Sequence, residues 1–439
     1  MKKHTQSPYE SSEISYKPSG IEWLGEIPKH WEICKLNKVS YFINGYAFES
    51  SHFDYSFSIP VIRIGDIQND KIIYHTCLMT KEQENLKNFM IYRGDIVIAL
   101  SGATTGKFAV CNSNKKAYIN QRVAIIRSDI KILKYYLSTF GFVNYIDMLC
   151  NGSAQPNIST KEVGNFKIPL PPLQEQKEIA EFLDSKCEKI QNYIDKKQKL
   201  ITLLQEKKQA LINEAVTKGL NPNIESKNSG IEYLGLIPHH WEVVKVKYIA
   251  TTNIGLVYDP SEIATNENVG YPVLRANNIQ NGKIDYKDVI YVAKKIDDKQ
   301  LAISGDLLMC VRNGSENLLG KTAKIENNNF SFGAFTAIIR SDLNNYLYWI
   351  FQTEMLKKSI SSFIVSIGIG QISQDDIKNF KIPLPPLQEQ KEIAEFLDKK
   401  CEKINSAIEK TKKQIELVKE YKNTLINEAV CGRINLERK

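Results

Sequence analysis

The sequence predicts an α+β protein in which two pseudo-two-fold-related globular domains are joined by two long antiparallel helices that form a coiled coil. Residues 165–190 return almost unchanged as 379–404, with Ser185 against Lys399 as the single difference. Each copy follows a β-rich segment and leads into a long charged stretch with helical spacing of its apolar residues. Repetition on this scale indicates that the chain is two copies of one unit.

Composition excludes several classes of protein. The 439 residues are 42% hydrophobic and 25% charged, which is ordinary for a globular protein in water. No apolar run approaches the roughly 18 residues of a membrane helix, and the first residues lack the apolar stretch of a signal peptide. The 8 cysteines contain no CxxC pair, so neither a disulfide framework nor a zinc site is expected. We therefore expect a cytoplasmic protein that binds no membrane.

The excess positive charge lies outside the predicted helices. The net charge is +8, yet residues 173–217 hold 8 basic and 8 acidic residues, and 387–431 hold 9 of each. Residues 1–172 carry +5, from 20 basic and 15 acidic residues. A mild positive bias on the globular parts permits binding to nucleic-acid phosphates but does not demand it, and charge alone favours a plain solvated surface.

Each half opens with the same turn-rich segment. Residues 1–18 are polar, and we expect them to be loose. Ser19–Leu36 then recurs as Ser229–Val246, with a tryptophan in the same His-Trp-Glu context. We interpret these tryptophans as packing anchors, since no further histidine cluster exists to complete a metal or catalytic site. The tryptophans are Trp31 and Trp241, and the histidines that precede them are His30 and His240.

The middle of each half predicts strands, turns and one buried helix. Short Val/Ile/Leu runs bounded by Gly, Asn and Asp are typical of strands and turns. Tyr135–Leu149 and Asn345–Ile360 each read as a helix buried on one face. The runs with strand-like sequence are Ile59–Asp70, Arg93–Val110 and Arg122–Asp129 in the first half. They correspond to Tyr271–Ile284, Ser304–Ile325 and Phe335–Asp342 in the second half.

The charged stretches predict two long helices that pack on each other. Glu175 and Glu389 suit the first turn of a helix, and Gly219 and Gly432 suit its C-terminal cap. About 45 residues at 1.5 Å each form a rod of about 65 Å. Antiparallel pairing follows from a pseudo-two-fold axis and would put one globular domain at each end. The apolar seam repeats every seven residues, and the predicted core is Leu183, Cys187, Ile190, Ile194, Ile201, Leu204 and Leu211 with Leu397, Cys401, Ile404, Ile408, Ile415, Val418 and Leu425.

These patterns divide the chain into five parts. Two globular domains alternate with two helices, and a short tail follows. The predicted boundaries are 1–172 for the first domain with its opening segment, 173–217 for the first helix, 218–386 for the second domain with a linker at 218–230, 387–431 for the second helix and 432–439 for the tail.

No motif predicts catalysis. Gly102–Lys107 reads GATTGK, which is one residue too short for a phosphate-binding loop and is followed by Phe108 instead of Ser or Thr. In the second half Ser315 stands where the leading glycine of such a loop belongs. No methyltransferase tetrapeptide, Ser/His/Asp arrangement or pair of carboxylates emerges, and we expect no metal and no cofactor on this chain.

Polar, glycine-bearing loops at equivalent places in both halves are the candidate binding elements. Their side chains are of the types that reach phosphates and base edges, although ordinary turns have the same composition. The candidates are Ser101, Thr104, Thr105, Lys107, Arg122, Ser153, Gln155 and Asn157 in the first half, and Arg312, Asn313, Ser315, Lys321, Gln371 and Ser373 in the second.

The doubled run IPLPPLQEQKEIAEFLD, each time leading into a long helix, resembles the specificity subunit of a Type I restriction–modification system. The SGIEWLGEIPKHWE segment, the TGK and GSAQPNIS loops and the two-half layout are similar to the same family, over nearly the whole chain. The resemblance implies two target-recognition domains, each reading one half of a bipartite double-stranded DNA target, and no catalysis by the subunit itself. It also implies docking of two modification subunits, which carry S-adenosylmethionine and methylate adenine, and through them of restriction subunits that use ATP and Mg to cut DNA.

On this interpretation the helices act as a ruler. Two domains on one face of a duplex should be offset by about a helical turn, roughly 34–36 Å, or a multiple of it, and a stiff coil holds that offset where a flexible linker would not. Two alternatives remain: a coiled-coil scaffold that binds only protein, and a fragment of a fused methyltransferase–nuclease.

Overall fold

The chain forms two compact units, each built from β-sheets and both long helices. The structure is a computed structural model that describes residues 15–434 apart from 69, 153–154, 266–267, 314–317 and 362–369. Unit 1 comprises Met1–Lys197 and Lys413–Lys439, and unit 2 comprises Gln198–Lys412. The division between the compact units therefore falls within the two long helices.

Unit 1 is organised around a four-stranded sheet of order β10-β9-β12-β4 and a three-stranded sheet of order β11-β5-β8. The pairs β1-β2, β3-β13 and β6-β7 complete its strands. The strands are β1 Tyr16–Pro18, β2 Glu26–Pro28, β3 Glu32–Lys35, β4 Tyr41–Asn44, β5 Ile59–Ile62, β6 Ile67–Gln68, β7 Lys71–Ile72, β8 Leu78–Thr80, β9 Ile96–Ala99, β10 Phe108–Val110, β11 Tyr118–Ile119, β12 Val123–Arg127 and β13 Lys167–Leu170. The helices are α1 Leu133–Leu137, α2 Phe140–Cys150, α3 Thr160–Gly164 and α4 Leu173–Lys218.

Unit 2 repeats this organisation with a six-stranded sheet, β17-β28-β24-β26-β21-β20, and a five-stranded sheet, β18-β22-β19-β27-β23. Its strand pairs are β14-β15, β16-β30 and β25-β29. The strands are β14 Ser226–Asn228, β15 Leu236–Pro238, β16 Glu242–Lys245, β17 Thr251–Ile254, β18 Ile263–Ala264, β19 Tyr271–Leu274, β20 Ile279–Gln280, β21 Lys283–Ile284, β22 Ile290–Val292, β23 Leu301–Ala302, β24 Leu307–Cys310, β25 Arg312–Asn313, β26 Thr322–Lys324, β27 Phe330–Phe332, β28 Thr336–Arg340, β29 Gly370–Gln371 and β30 Lys381–Leu384. The helices are α5 Asn344–Phe351, α6 Glu354–Ser361, α7 Gln374–Asn379 and α8 Leu387–Val430.

The central strands are apolar on both faces because each face is covered. Ile96 and Ile98 of β9 enter the core that also holds the helices, while Val97 and Ala99 enter a second core on the other side. Successive side chains of a strand point to opposite faces, so a continuous Val/Ile run is expected in a strand that is buried on both faces of the sheet. The strand β24 of unit 2 has the same arrangement, with alternate residues in two cores.

An arginine–aspartate pair explains why the halves share polar landmarks around these strands. Arg127 donates from Nε and Nη2 to the carboxylate of Asp95 at 2.8 and 2.6 Å, and Arg340 binds Asp306 with the same two distances. Both aspartates are buried, at 4% and 1% exposure. The hydrogen bond to its partner aspartate raises the pKa of each guanidinium. The shared Arg and Asp letters are therefore structural.

The long helices pair antiparallel within each unit, as predicted. In unit 1, Leu183 near the start of α4 shares a core with Val430 at the end of α8. In unit 2, Val216 at the end of α4 shares a core with Leu397 near the start of α8. Gly219 and Gly432 follow the helices with φ of +76° and +71°, the left-handed conformation that favours glycine at a helix end.

The predicted seam is buried along most of its length and shifts at the C-terminal ends. Leu183, Ile194, Ile201, Leu397, Cys401, Ile408 and Ile415 are buried, while Cys187, Ile190, Leu204, Ile404 and Val418 are half-buried. Leu211 and Leu425 are also only half-buried, because the adjacent Ile212 and Ile426 are the buried residues there, each 2% exposed. A straight helix drifts about 20° per heptad against a strict seven-residue repeat, and here it turns toward the globular core.

Three sequence-based expectations were wrong in detail. Tyr135–Leu149 is not one helix, because α1 ends at Leu137 and Thr139 caps the start of α2 by accepting the N–H of Phe142 at 3.2 Å. The corresponding segment of unit 2 is likewise broken, between α5 and α6. Residues 16–18 form β1 and are not loose. Short runs of helical spacing do not reveal such breaks.

The two units differ in how the chain enters them. In unit 2, α4 continues through residues 219–225 into β14. In unit 1 the equivalent junction joins the two ends of the described chain: Tyr16 donates to the carbonyl of Gly432 at 3.0 Å, and Arg433 donates to the carbonyl of Leu24 at 2.8 Å. No helix among the described residues has the length and hydropathy that would let it span a bilayer.

Candidate nucleic-acid interface

The structure brings together two candidate loops of unit 1 that are about fifty residues apart in sequence. Ser101 and Asn157 form an antiparallel bridge, the amide of Gly102 donates to the carbonyl of Pro156 at 2.9 Å, and Leu100 donates to the carbonyl of Arg122 at 2.9 Å. We call the surface formed by Ser101, Arg122 and Asn157 loop platform 1. A groove of about 900 Å³ lies on it, lined also by Gln121 and Gln155.

Unit 2 forms an equivalent surface with the corresponding backbone hydrogen bonds. Arg312 pairs with Gln371 between β25 and β29, and Val311 donates to the carbonyl of Phe335 at 2.9 Å. We call the surface formed by Arg312, Phe335 and Gln371 loop platform 2. The guanidinium carbon of Arg312 lies 5.3 Å from the centre of the Phe335 ring, and that ring is 56% exposed.

The two platforms share their backbone framework and differ in every side chain that defines them. Ser101 corresponds to Arg312, Arg122 to Phe335, and Asn157 to Gln371, as the equivalent strand bonds show. Hydrogen-bonding side chains on irregular loops, carried by rigid sheets, are the usual form of a sequence-reading surface. The arrangement can recognise two different patterns of donors and acceptors.

Two hydroxyls in the loop that carries Ser101 have no partner within the described chain. The Oγ of Ser101 and the Oγ1 of Thr104 are buried atoms without a hydrogen bond. Thr105, by contrast, is used within the loop, because its hydroxyl donates to the carbonyls of Gly102 and Pro156 at 2.7 and 3.2 Å. These two hydroxyls are unpaired among the described residues, whereas Thr105 ties the two loops together.

The lysines of the two Gly-Lys turns lie on a different surface from the platforms. Lys107 lines a cleft of about 470 Å³ between the loop that precedes β10, α2 and the end of α8. Lys321 lines the equivalent cleft of unit 2, about 560 Å³, opposite Lys208 and Lys412 of the long helices. Gly106 is needed for packing, since a Cβ there would stand 2.7 Å from Ile146 of α2. The turn is thus a close contact between the sheet and α2.

The remaining candidates are placed as follows. Ser373 caps α7, where its hydroxyl accepts from the amide of Asp376 at 3.1 Å and donates to that carboxylate at 2.6 Å. Asn313 belongs to β25 and pairs with Gly370. Ser153 and Ser315 lie outside the described residues.

A contact that sequence reasoning missed links each opening segment to a long helix. Trp31 donates from Nε1 to Glu175 Oε2 at 2.9 Å, and His30 Nε2 lies 2.7 Å from the other carboxylate oxygen. The predicted packing role of the tryptophan is correct, since Trp31 is 1% exposed. The sequence had predicted for Glu175 only a favourable electrostatic interaction with the first turn of the helix. The recurrence of His-Trp and of Gln-Glu-Gln in both halves was the available signal.

The described residues contain no group of three or more His, Cys, Asp and Glu side chains that could hold a metal ion. Burial raises the pKa of the Cys310 thiol at the end of β24, beside platform 2, so it stays protonated near neutral pH. The chemistry that the platforms offer is hydrogen bonding and stacking.

Comparison with known proteins identifies two matching segments. A family model described as "Type I restriction modification DNA specificity domain" matches residues 28–204 and 238–417. The type I restriction enzyme MjaVIII specificity subunit of Methanocaldococcus jannaschii is 27% identical over 363 residues, covering 80% of this chain and 81% of that protein. The type I restriction enzyme EcoBI specificity subunit of Escherichia coli is 23% identical over 448 residues, covering 95% of this chain and 89% of that protein.

A solved structure supports the fold. One chain of a structure described as "Structural basis underlying complex assembly and conformational transition of the type I R-M system" aligns with a TM-score of 0.70 at 17% identity. The alignment covers 93% of this chain and 99% of the other. Similarity at this level of identity concerns the architecture alone.

Proposed function

The chain belongs to the Type I restriction–modification DNA specificity family, with two copies of the specificity domain, and we propose that each unit reads one half of a bipartite, asymmetric DNA target. The observation that carries this proposal is the pair of loop platforms. They have the same backbone framework and different side chains, as two readers of different half-sites would have. Two identical platforms would specify a palindrome.

The charge distribution supports DNA as the ligand. The long helices are neutral, and the positive excess lies on the globular parts. Phosphate contacts supply affinity without sequence information, while side chains at the platforms reach base edges. Arg122, Gln121, Gln155, Asn157, Arg312 and Gln371 are all exposed and are types that bind bases.

The repeated segment supports a second role, the docking of two copies of one partner. Leu173 and Leu387 begin the two long helices and are 66% and 57% exposed, although both are large apolar residues. Exposed residues around them, such as Lys177 and Lys391, are also the same in both units. Packing does not constrain exposed side chains, and the halves have diverged elsewhere. We infer that this surface binds the two modification subunits, and through them the restriction subunits.

The long helices support a third role, as the ruler between the half-sites. Each is continuous, with 46 residues in α4 and 44 in α8. A packed helix pair resists bending and stretching, so it can specify an unread spacer of defined length. We propose that the platforms recognise the bases of the half-sites and that the helices set the distance between the half-sites.

On this proposal the chain performs no chemistry itself. Adenine-N6 methylation and ATP-dependent cleavage belong to the assembled complex, and S-adenosylmethionine, ATP and Mg bind the partner subunits. The candidate residues of this chain bind and orient the duplex, so that the target adenine of each half-site reaches a docked methyltransferase.

Mapping of N6-methyladenine in the host genome, with and without this gene, tests the proposal. We expect a split, asymmetric motif to lose its methylation when the gene is deleted, and to regain it on complementation. An unchanged methylome, together with a purified complex that has no DNA sequence preference, would instead support a protein-binding coiled-coil scaffold.

A further inference from the structure

Most arginines of the described chain are held by other residues of the protein. Five have hydrogen-bonded or ion-paired guanidinium groups, and three have neither within the described residues. The held residues are Arg63 with Asp66, Arg127 with Asp95, Arg340 with Asp306, Arg275 with the carbonyl of Asp288, and Arg433 with the carbonyl of Leu24. The other three are Arg93, Arg122 and Arg312, and the last two stand on loop platforms 1 and 2.

The two platform arginines do not occupy equivalent positions. Arg122 immediately precedes β12, and its counterpart in unit 2 is Phe335. Arg312 follows β24, and its counterpart in unit 1 is Ser101. Each unit thus brings to its own platform one guanidinium that is unpaired among the described residues, and the two units do so from different strands. Duplication of an ancestral arginine does not explain this, whereas a shared ligand chemistry does.

The surroundings suit recognition of a base edge. Arg312 lies over the exposed ring of Phe335, at 5.3 Å, and stacking on one face leaves the edge of the guanidinium free to donate. Fixing the side chain on a ring also reduces the rotamer entropy that binding would cost. Arg122 lines the groove of about 900 Å³ together with Gln121 and Gln155.

Guanine is the base that matches this geometry. Its O6 and N7 accept two parallel hydrogen bonds from an arginine in the major groove, whereas adenine presents a donor at the equivalent place. We propose that Arg122 and Arg312 are the specificity-determining residues of the two units, each reading one guanine in its own half-site. This inference rests on the proposed function, since it needs a bipartite DNA target.

The test uses the full chain assembled with its cognate modification subunits in a host without other adenine methylation. We expect Arg312→Gln to remove the requirement for guanine at one position of one half-site, reducing a preference of roughly 5- to 150-fold. The other half-site should be unchanged. Arg122→Gln should act in the same way on the other half-site only. Arg312→Lys keeps the charge but loses the planar fork, and we expect it to retain methylation with weaker selectivity at the same position.

Arg93→Gln is the matched control, because the guanidinium of Arg93 also has no partner among the described residues and lies off both platforms. We expect its methylated motif to equal that of the wild type. If Arg312→Gln abolishes methylation, competition between duplexes that differ at single base pairs supplies the same comparison. A thermal melt checks that each variant is folded.

Three results would overturn the inference while leaving the proposed function standing. The first is a wild-type motif with no guanine in one half-site. The second is a variant whose motif is unchanged while methylation falls equally at all sites, and the third is a single substitution that alters both half-sites. The second result would indicate a phosphate contact. A wild-type complex that methylates no bipartite motif would instead contradict the proposed function itself.

Discussion

The indole Nε1 of Trp241 donates a hydrogen bond of 3.0 Å to Oε2 of Glu389, the third residue of the second long helix. His240 Nε2 lies 2.6 Å from the other oxygen of that carboxylate. The ring of Trp241 also packs on Gly219, where a Cβ would stand 3.2 Å from it. One buried tryptophan therefore contacts the start of one helix and the end of the other within unit 2.

Glu389→Ala should destabilise unit 2, because it leaves the buried indole N–H of Trp241 without an acceptor. We expect a loss of about 1–3 kcal/mol in the free energy of unfolding, measured by urea denaturation with tryptophan fluorescence. Glu395→Ala, on an exposed position of the same helix, is the control and should change stability by less than about 0.5 kcal/mol. Equal effects of the two substitutions would contradict the role of the contact.

Arg340→Ala should be more damaging, because it leaves the carboxylate of Asp306, only 1% exposed, buried and unpaired. Removing one partner of a buried ion pair costs about 3 kcal/mol or more. Arg312→Ala is the control, since Arg312 has no intrachain ion pair among the described residues, and it should be nearly neutral. The measurement is again denaturant unfolding, and a neutral Arg340→Ala would show that Asp306 is stable without its partner.

Thiol labelling should report the packing of the helix seam. Cys401 is 2% exposed, and burial raises its pKa to about 11, so at pH 8 little of it is thiolate. We expect iodoacetamide to modify Cys34 and Cys150, which are partly exposed, well before Cys401. In urea the difference should vanish. Fast modification of Cys401 in the native protein would contradict its place in the core.

Leu173→Asp and Leu387→Asp should each remove one modification subunit from the complex, and the double variant should remove both, because an exposed apolar anchor becomes charged. Native mass spectrometry of the assembled complex measures the stoichiometry. Leu236→Glu is a matched control: Leu236 is 59% exposed, and its counterpart in unit 1 is Glu26, so the fold already accepts an acid there. Full occupancy in the double variant would exclude this docking surface.

Removing seven residues from the middle of each long helix should shorten the unread spacer of the target, since two turns are about 10.5 Å of helix. Both half-sites should keep their bases, because the platforms are untouched. Methylation mapping of the variant complex measures the spacer directly. A surviving activity with the original spacer would contradict the ruler.

Much of the architecture was predictable because its signals are local or repeated. The 26-residue repeat predicted two like units, and apolar spacing predicted both long helices. The antiparallel pairing of the helices was predicted from the pseudo-two-fold relation of the two units. Glycines 219 and 432 predicted the helix ends. The exception within the helices is instructive: Ile212 and Ile426 replace their leucine neighbours in the core, because the buried face rotates where the helix meets the globular domain.

The candidate site was predictable as a set of loops but not as a surface. Polar composition identified both the platform loops and the Gly-Lys turns, yet Lys107 and Lys321 face clefts beside the long helices. Ser373 caps a helix and Thr105 ties two loops together. Residue type cannot distinguish these uses, because a hydroxyl that caps a helix and one that meets a ligand have the same chemistry.

By itself, the sequence determined the repeat, the periodicity of the helices and the class of residue in each loop, since these depend on spacing along the chain. Only the tertiary structure decided which side chains meet: Ser101 beside Asn157, Arg312 over Phe335, and Glu389 beneath Trp241. Those contacts join residues from 23 to 148 positions apart, and their formation depends on how sheets and helices pack in three dimensions. The same packing turns two similar loops into two different platforms.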